Sequence, residues 1–158
     1  GFINQVYPLR HKLKQILEYL QQNSNIKIRI IEHPGYYKPD LMSQLPKNEK
    51  LSEIINQSRF TLISSSKHRL LLKKYYEVPM SGSTIIGDIP EAYKELLKDK
   101  VIEIPFNAEP NNIIKIIQKS LMGEYIHIEN NSRKWGEELC NELSFENSYK
   151  NLCEICQN

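Results

Sequence analysis

The sequence predicts an α/β fold: a parallel sheet covered by helices on both faces, followed by C-terminal helices. Two observations predict it. Short β-branched segments alternate with amphipathic segments of helical period as far as Pro105, and such alternation is typical of right-handed crossovers between parallel strands. No segment of roughly 20 to 50 residues repeats, which argues against a repeat protein.

Length and charge exclude several classes of protein. The chain has 158 residues, which suits one domain with a substantial core. Its net charge is +2 and its lysines are interspersed with acids, so we expect no nucleic-acid partner. No apolar run is long enough to span a membrane and no signal-peptide pattern is present, so a cytoplasmic protein is expected. The abrupt start at Gly1 suggests a fragment of a longer protein.

The three cysteines lie late in the chain, and their odd number favours a reducing compartment. Cys153 and Cys156 form a Cys-x-x-Cys pair, but with Cys140 they provide only three of the four ligands that a structural zinc site needs. A redox pair is expected to open a helix after a strand, whereas this pair closes the chain. We therefore expect these cysteines on helix faces, without a metal.

The first two predicted elements are a helix over residues 9–22, begun by Pro8, and a β-branched strand over residues 26–32. Arg10 falls in the first turn of the helix, where the helix end favours anions. The strand runs into a loop that begins at His33. Loops after parallel strands gather at the ligand-binding edge, so His33 is a candidate pocket residue. Tyr36 and Tyr37 follow in the same loop and either stack on a base or cover apolar surface.

The next predicted elements are a short helix over residues 51–57 and a buried strand over residues 59–63. The strand ends in Ser64-Ser65-Ser66. Three hydroxyls after a strand suit a helix cap and a nearby phosphate, and Ser66 is the candidate ligand contact. The remaining predicted elements follow in order: a helix over 68–77, a strand over 84–86, a helix over 90–98, a strand over 101–105, and helices over 109–121, 132–143 and 145–157.

Residues 68–90 are the centre of the functional prediction. Lys74 and Glu77 are three residues apart and so share one helix face. A site for a sugar hydroxyl and a phosphate needs an acceptor-only group beside a fixed positive charge, although an ordinary surface ion pair has the same spacing. Pro79 is predicted to break the helix, and Ser81-Gly82-Ser83 forms a small-residue turn before the next strand.

Residues 74–82 resemble the motif in the C-terminal, nucleotide-sugar-binding domain of group 1-like glycosyltransferases of the GT-B fold. In that family a Glu, followed five residues later by Gly and then a buried strand, binds the ribose of the donor nucleotide. Glu77 and Gly82 match this layout. Many members carry another Glu eight residues earlier, where this chain has Arg69, so the subgroup with a basic residue three before the Glu fits better.

The resemblance implies one Rossmann-like donor-binding domain over residues 1–158, with a helical extension over 126–158, from a longer two-domain or multidomain enzyme. Such an enzyme transfers a sugar from a nucleoside diphosphate, UDP or GDP, to a hydroxyl of a glycan, protein or small molecule. Any catalytic base would come from the N-terminal GT-B domain. Because the sequence lacks Asp-x-Asp, stabilisation of the leaving group without a metal or other cofactor is expected.

The residues implied for this site fall into two groups. Arg10 and Lys74 would neutralise the departing diphosphate and are the candidate catalytic residues. The candidate donor-binding residues are Glu77, His33, Ser66, Ser81, Gly82 and Ser83. The alternative is a non-catalytic flavodoxin-like module that binds a nucleotide or a protein. A phospho-receiver is disfavoured, because the strand ends carry His33 and serines instead of clustered acids.

Overall fold

The computed structural model describes residues 7–31, 46 and 48–143. Within them lie six α-helices, a 3-10 turn at Glu91–Tyr93 and a sheet of three strands. The helices are α1 (Pro8–Asn23), α2 (Asn48–Asn56), α3 (Lys74–Met80), α4 (Lys94–Leu97), α5 (Pro110–Leu121) and α6 (Ile126–Glu142). The strands are β1 (Phe60–Ile63), β2 (Thr84–Gly87) and β3 (Val101–Glu103).

The sheet is parallel, as the sequence predicted, and its strand order is β1-β2-β3. The register places Ile63 opposite Gly87 and Gly87 opposite Glu103, so all three strands end together. Gly87 has no room for a side chain, because a Cβ atom there would lie 2.3 Å from the Ile63 carbonyl oxygen.

Helices cover both faces of the sheet. Alternate strand residues point to opposite faces: Ile86 and Ile102 face a first core shared with α1 and α5, whereas Ile85 and Val101 face a second core shared with α3, α4 and α6. The first core comprises Leu9, Leu13, Ile16, Leu20, Ile86, Ile102, Ile104, Ala108, Ile113, Ile117 and Ile128; the second comprises Ile55, Tyr75, Val78, Ile85, Ile89, Leu97, Val101 and Trp135. The predicted two-sided α/β architecture is confirmed, and no helix among the described residues is long and apolar enough to cross a membrane.

Residues 26–31 are not a strand, so the predicted strand over 26–32 is wrong in its described part. Ile26 and Ile28 pack against the first core, and Gln21 donates a hydrogen bond to the Ile28 carbonyl. The alternating pattern therefore reflects burial of one side of an extended segment. It carries no information about whether the backbone pairs with another strand.

The predicted helix over 68–77 is also wrong in its first half. Arg69 adopts a left-handed conformation (φ 56°), which interrupts helical geometry, and α3 begins only at Lys74. At its other end α3 includes Pro79 and continues to Met80. Pro79 removes one helical hydrogen bond, but the helix ends one residue later, so little regular structure is lost. The segment over 90–98 divides into the 3-10 turn and α4, and the segment over 132–143 belongs to the longer helix α6.

An ion pair between Arg59 and Glu129 connects the residue before β1 to helix α6. Both oxygens of the buried Glu129 carboxylate accept hydrogen bonds from Arg59, from Nε at 2.8 Å and from Nη2 at 2.9 Å. The hydrogen bond to Glu129 raises the pKa of Arg59. Two parallel bonds hold both side chains in one geometry, which single surface pairs do not achieve.

We expect Glu129→Gln to lower the free energy of unfolding by about 1–2 kcal/mol, because the amide presents a donor where the guanidinium needs an acceptor. Urea denaturation measures this change. Glu124→Gln is the matched control: Glu124 pairs with Lys119 at 2.8 Å with both side chains about half exposed, and its loss should cost less than about 0.5 kcal/mol. Equal costs for the two variants would refute the structural role of Glu129.

Candidate functional site

The candidate site lies at the carboxyl edge of the sheet, which we define as residues 64–66 after β1 and residues 88–89 after β2. In parallel α/β sheets this edge is where loops converge and ligands bind. Two groups of polar side chains meet there. One is centred on Asp88, and the other lines a cavity beside α1.

Asp88 is almost completely buried, at 1% exposure, and it organises the edge. Its carboxylate accepts hydrogen bonds from the Ser65 backbone N–H at 2.7 Å, from the Ser65 hydroxyl, and from Arg69 Nη1 at 2.7 Å. The charge is therefore both paired and hydrogen-bonded, the condition under which a buried carboxylate is tolerated. Asp88 thus ties the loop after β1 to the end of β2.

Arg69 also contacts two other residues near this edge, Ile89 and Phe106. Its Nη2 donates to the Ile89 carbonyl, and its guanidinium stacks on Phe106 with Cζ 4.7 Å from the ring centroid. These contacts offset the strain of its left-handed backbone, which costs roughly 1–2 kcal/mol for a non-glycine residue. Arg69 occupies the position of the second Glu in the motif that the sequence resembles, and here it binds an acid of its own chain.

The Tyr75 hydroxyl donates a hydrogen bond to the Asp88 carbonyl from within the second core. Burial, and secondarily the charge of Asp88, raise the pKa of Tyr75 far above its usual value. The phenol therefore stays protonated and acts as a fixed donor. The positive charges of Arg69 and Arg10 partly oppose this rise in the pKa of Tyr75.

A cavity of about 510 Å³ lies beside β1, between α1, α2, residues 29–31 and the start of α3. It reaches the carboxyl end of β1 at Ser64, and most of its lining is apolar. Arg10, His11, Ser64 and Lys74 provide polar groups to its lining, and Leu13 and Leu72 belong to its apolar part. Arg10 and Lys74 come from segments far apart in the sequence. The structure thus brings the two predicted cationic residues together at one cavity.

The two cations differ in how they are held. Lys74 forms an ion pair with Glu77, with both side chains about 40–45% exposed. This is the ordinary surface pair that their spacing also allowed. The Arg10 guanidinium lies over the Tyr7 ring, with Cζ 4.1 Å from its centroid. Among the described residues no carboxylate lies within ion-pair distance of Arg10. Glu77 itself is not part of the cavity lining and is joined to the site through Lys74.

The turn predicted to approach the donor lies elsewhere. Ser81, Gly82 and Ser83 precede β2 and so sit at the opposite edge of the sheet from Asp88. The Ser81 hydroxyl donates to the Glu77 carbonyl at 2.8 Å, and Ser83 bonds to Thr61 at 2.8 Å. Gly82 has φ 82° and closes the end of α3. These three residues have internal structural partners, and we leave them out of the candidate site.

Of the remaining predicted residues, some are described by the structure and others are not. Ser66 is buried, and its hydroxyl accepts a hydrogen bond from the His68 N–H at 3.3 Å. His33, Tyr36 and Tyr37 lie outside the described residues, as do Cys153, Cys156 and the predicted helix over 145–157. Cys140 is exposed on α6. In the described ranges, no three His, Cys, Asp or Glu side chains are grouped as metal ligands would be.

Two residues of this edge were missed by the sequence analysis. Asp88 directly follows a buried strand, a position that could have identified it as a residue of the ligand-binding edge. Ser64 was not distinguished from the two serines after it. It is fully buried, and its Oγ atom has no hydrogen-bond partner in the described part of the chain.

Comparisons of this chain with protein-family models, with curated proteins and with solved structures gave no match. The function of this chain is therefore inferred from its own residues and from the motif resemblance alone.

Proposed function

We propose that this chain is the donor-binding domain of a glycosyltransferase of the GT-B type, acting on a nucleoside diphosphate sugar. The observation that carries the proposal is that Arg10 and Lys74, from separate segments, line one cavity that reaches the carboxyl end of β1 in a parallel sheet. Lys74 also pairs with Glu77, the residue whose motif resembles the ribose-binding Glu of that family.

The charges of the cavity suit a diphosphate. Of the cations in its lining, Lys74 pairs with Glu77 and Lys14 pairs with Glu18. Arg10 has no acidic partner among the described side chains, so the cavity keeps a net positive charge. A guanidinium with five donors is well suited to bind two phosphoryl groups at once.

The same arrangement favours departure of a nucleoside diphosphate. When the bond between the sugar and the diphosphate breaks, negative charge grows on the departing oxygen. Fixed cations that are already in place lower the free energy of that transition state. Arg10 and Lys74 would provide this stabilisation, while Glu77 would accept hydrogen bonds from the ribose hydroxyls once Lys74 turns to the phosphate.

Calorimetric titration of the chain with UDP, GDP and their sugars tests the proposal. We expect saturable binding to one of these nucleotides, weakened roughly 10- to 100-fold in Glu77→Ala, because one charge-assisted hydrogen bond contributes about 1.5–3 kcal/mol. Glu95→Ala is the matched control, since Glu95 forms an exposed i,i+3 pair with Lys98 and does not line the cavity.

Two results would contradict the proposal. Unchanged affinity in Glu77→Ala would remove Glu77 from the site. Absence of binding to every nucleotide tested would favour the alternative, a non-catalytic α/β module of flavodoxin-like form. The isolated chain is expected to transfer sugar slowly or not at all, because the proposal assigns any catalytic base to another domain.

A further inference from the structure

The Ser64 hydroxyl has no partner within the described residues of the protein. Ser64 directly follows β1 and is fully buried, and its Oγ atom makes no hydrogen bond with them. An unsatisfied buried hydroxyl costs stability, and native proteins satisfy most such groups. Ser64 also lines the cavity that Arg10 and Lys74 line. An unpaired donor and a positively charged cavity therefore occur at the same place.

The two neighbouring serines do not share this property. The Ser65 hydroxyl donates to the buried carboxylate of Asp88. The Ser66 hydroxyl accepts the backbone N–H of His68. Of the three consecutive hydroxyls, only the one at Ser64 lacks a hydrogen-bond partner among the described residues.

We propose that Ser64 Oγ donates a hydrogen bond to a phosphoryl oxygen of the ligand that fills this cavity. The inference rests on the proposed function, which assigns a diphosphate to the same cavity. The chemistry of the lining supports an anionic acceptor: the guanidinium of Arg10 and the ammonium of Lys74 are donors only, and a serine hydroxyl can complete such a set by donating. Ser64 would then fix the position of the phosphoryl group relative to the two cations.

The test uses the whole chain, with inorganic pyrophosphate, UDP and GDP as calorimetric probes. Ser64→Ala is compared with Ser132→Ala, a matched control in α6. Ser132 is also buried, at 1% exposure, and its Oγ is likewise unpaired among the described residues, but Ser132 does not line the cavity. We expect Ser64→Ala to weaken binding of pyrophosphate and of the preferred nucleotide about tenfold or more. Ser132→Ala should leave both affinities unchanged.

The midpoint of thermal unfolding without ligand distinguishes a role in binding from a role in stability. Because each substitution removes a hydroxyl that bonds to nothing in the described protein, neither variant should have a lower midpoint than the wild type. A structural role for Ser64 would instead lower the midpoint together with the affinity. A lower midpoint for Ser64→Ala would therefore overturn the inference.

The binding results separate this inference from the proposed function. If the wild type binds UDP or GDP and Ser64→Ala binds it equally well, the inference is wrong and the donor-binding proposal stands. If pyrophosphate binds in a Ser64-dependent way and neither nucleotide binds more tightly, the phosphoryl contact stands and the nucleotide-sugar proposal is wrong. If the wild type binds none of the three probes, both are wrong.

Discussion

Replacing Gly136 with alanine is expected to lower the free energy of unfolding by about 2–3 kcal/mol. A Cβ atom at this position in α6 would lie 2.1 Å from the Pro79 carbonyl oxygen and 2.5 Å from its carbon. Both are backbone atoms, so no side chain can rotate away. The oxygen is also held in place, because it accepts the Gly82 N–H at 2.9 Å. Helices α3 and α6 must therefore move apart. Because the clash is with backbone atoms, its cost is expected to lie just above the usual overpacking range of about 1–3 kcal/mol, before helix propensity offsets about 1 kcal/mol of it.

Alanine has a higher helix propensity than glycine, by about 1 kcal/mol, so the two effects oppose each other at Gly136. Asn130→Ala, at an exposed position of α6, gives a smaller gain in helix propensity without the clash, and so provides a lower bound for the gain at Gly136. Urea denaturation of both variants distinguishes the cost of the steric clash from the gain in helix propensity. A Gly136→Ala variant as stable as the wild type would show that α3 and α6 can separate freely.

Replacing Asp88 with asparagine is expected to lower the free energy of unfolding by about 3 kcal/mol, since removing one partner of a buried ion pair costs about 3–5 kcal/mol. The value lies at the low end of that range because the Arg69 side chain is one-third exposed and gains some hydration. The amide oxygen can accept the Ser65 N–H, but the NH₂ group then faces the Arg69 guanidinium, which has only donors.

The matched control for Asp88→Asn is Asp99→Asn. Asp99 pairs with Lys100 at 2.8 Å with half of its side chain exposed, and Lys100 holds the pKa of Asp99 below its usual value. Loss of such a surface pair should cost at most about 1 kcal/mol. If the two variants lose equal stability in denaturation experiments, Asp88 does not organise the carboxyl edge.

The sequence predicted those parts of the fold in which local pattern and tertiary role agree. Helix α1 and strand β2 were predicted correctly, because apolar periodicity reports which face is buried. Residues 26–31 have the same kind of signal but form no strand, since burial of alternate side chains does not require a neighbouring strand. The helix over 68–77 failed at Arg69, where the contact with Asp88 is available only after the chain folds.

The candidate site was predictable to a similar extent. The spacing of Lys74 and Glu77 predicted that they share a helix face and allowed either a ligand site or an ordinary ion pair, and the structure shows the ion pair. The structure also brings Arg10 to the same cavity as Lys74. The distinction between Ser64 and its neighbours was not predictable. It depends on which hydroxyl finds a partner in Asp88 or in the following turn, and those partners are defined only by the tertiary structure.

Helix α6 contributes Trp135 to the second core and Ile128 to the first, while Glu129 holds the beginning of β1. Residues 126–158 were predicted to form a helical extension of the domain. In the structure, residues 126–142 form helix α6, which packs into both hydrophobic cores. A chimera that transfers this unit to another protein must therefore place its junction after Glu142, since a junction before Ile126 would expose both hydrophobic cores to water.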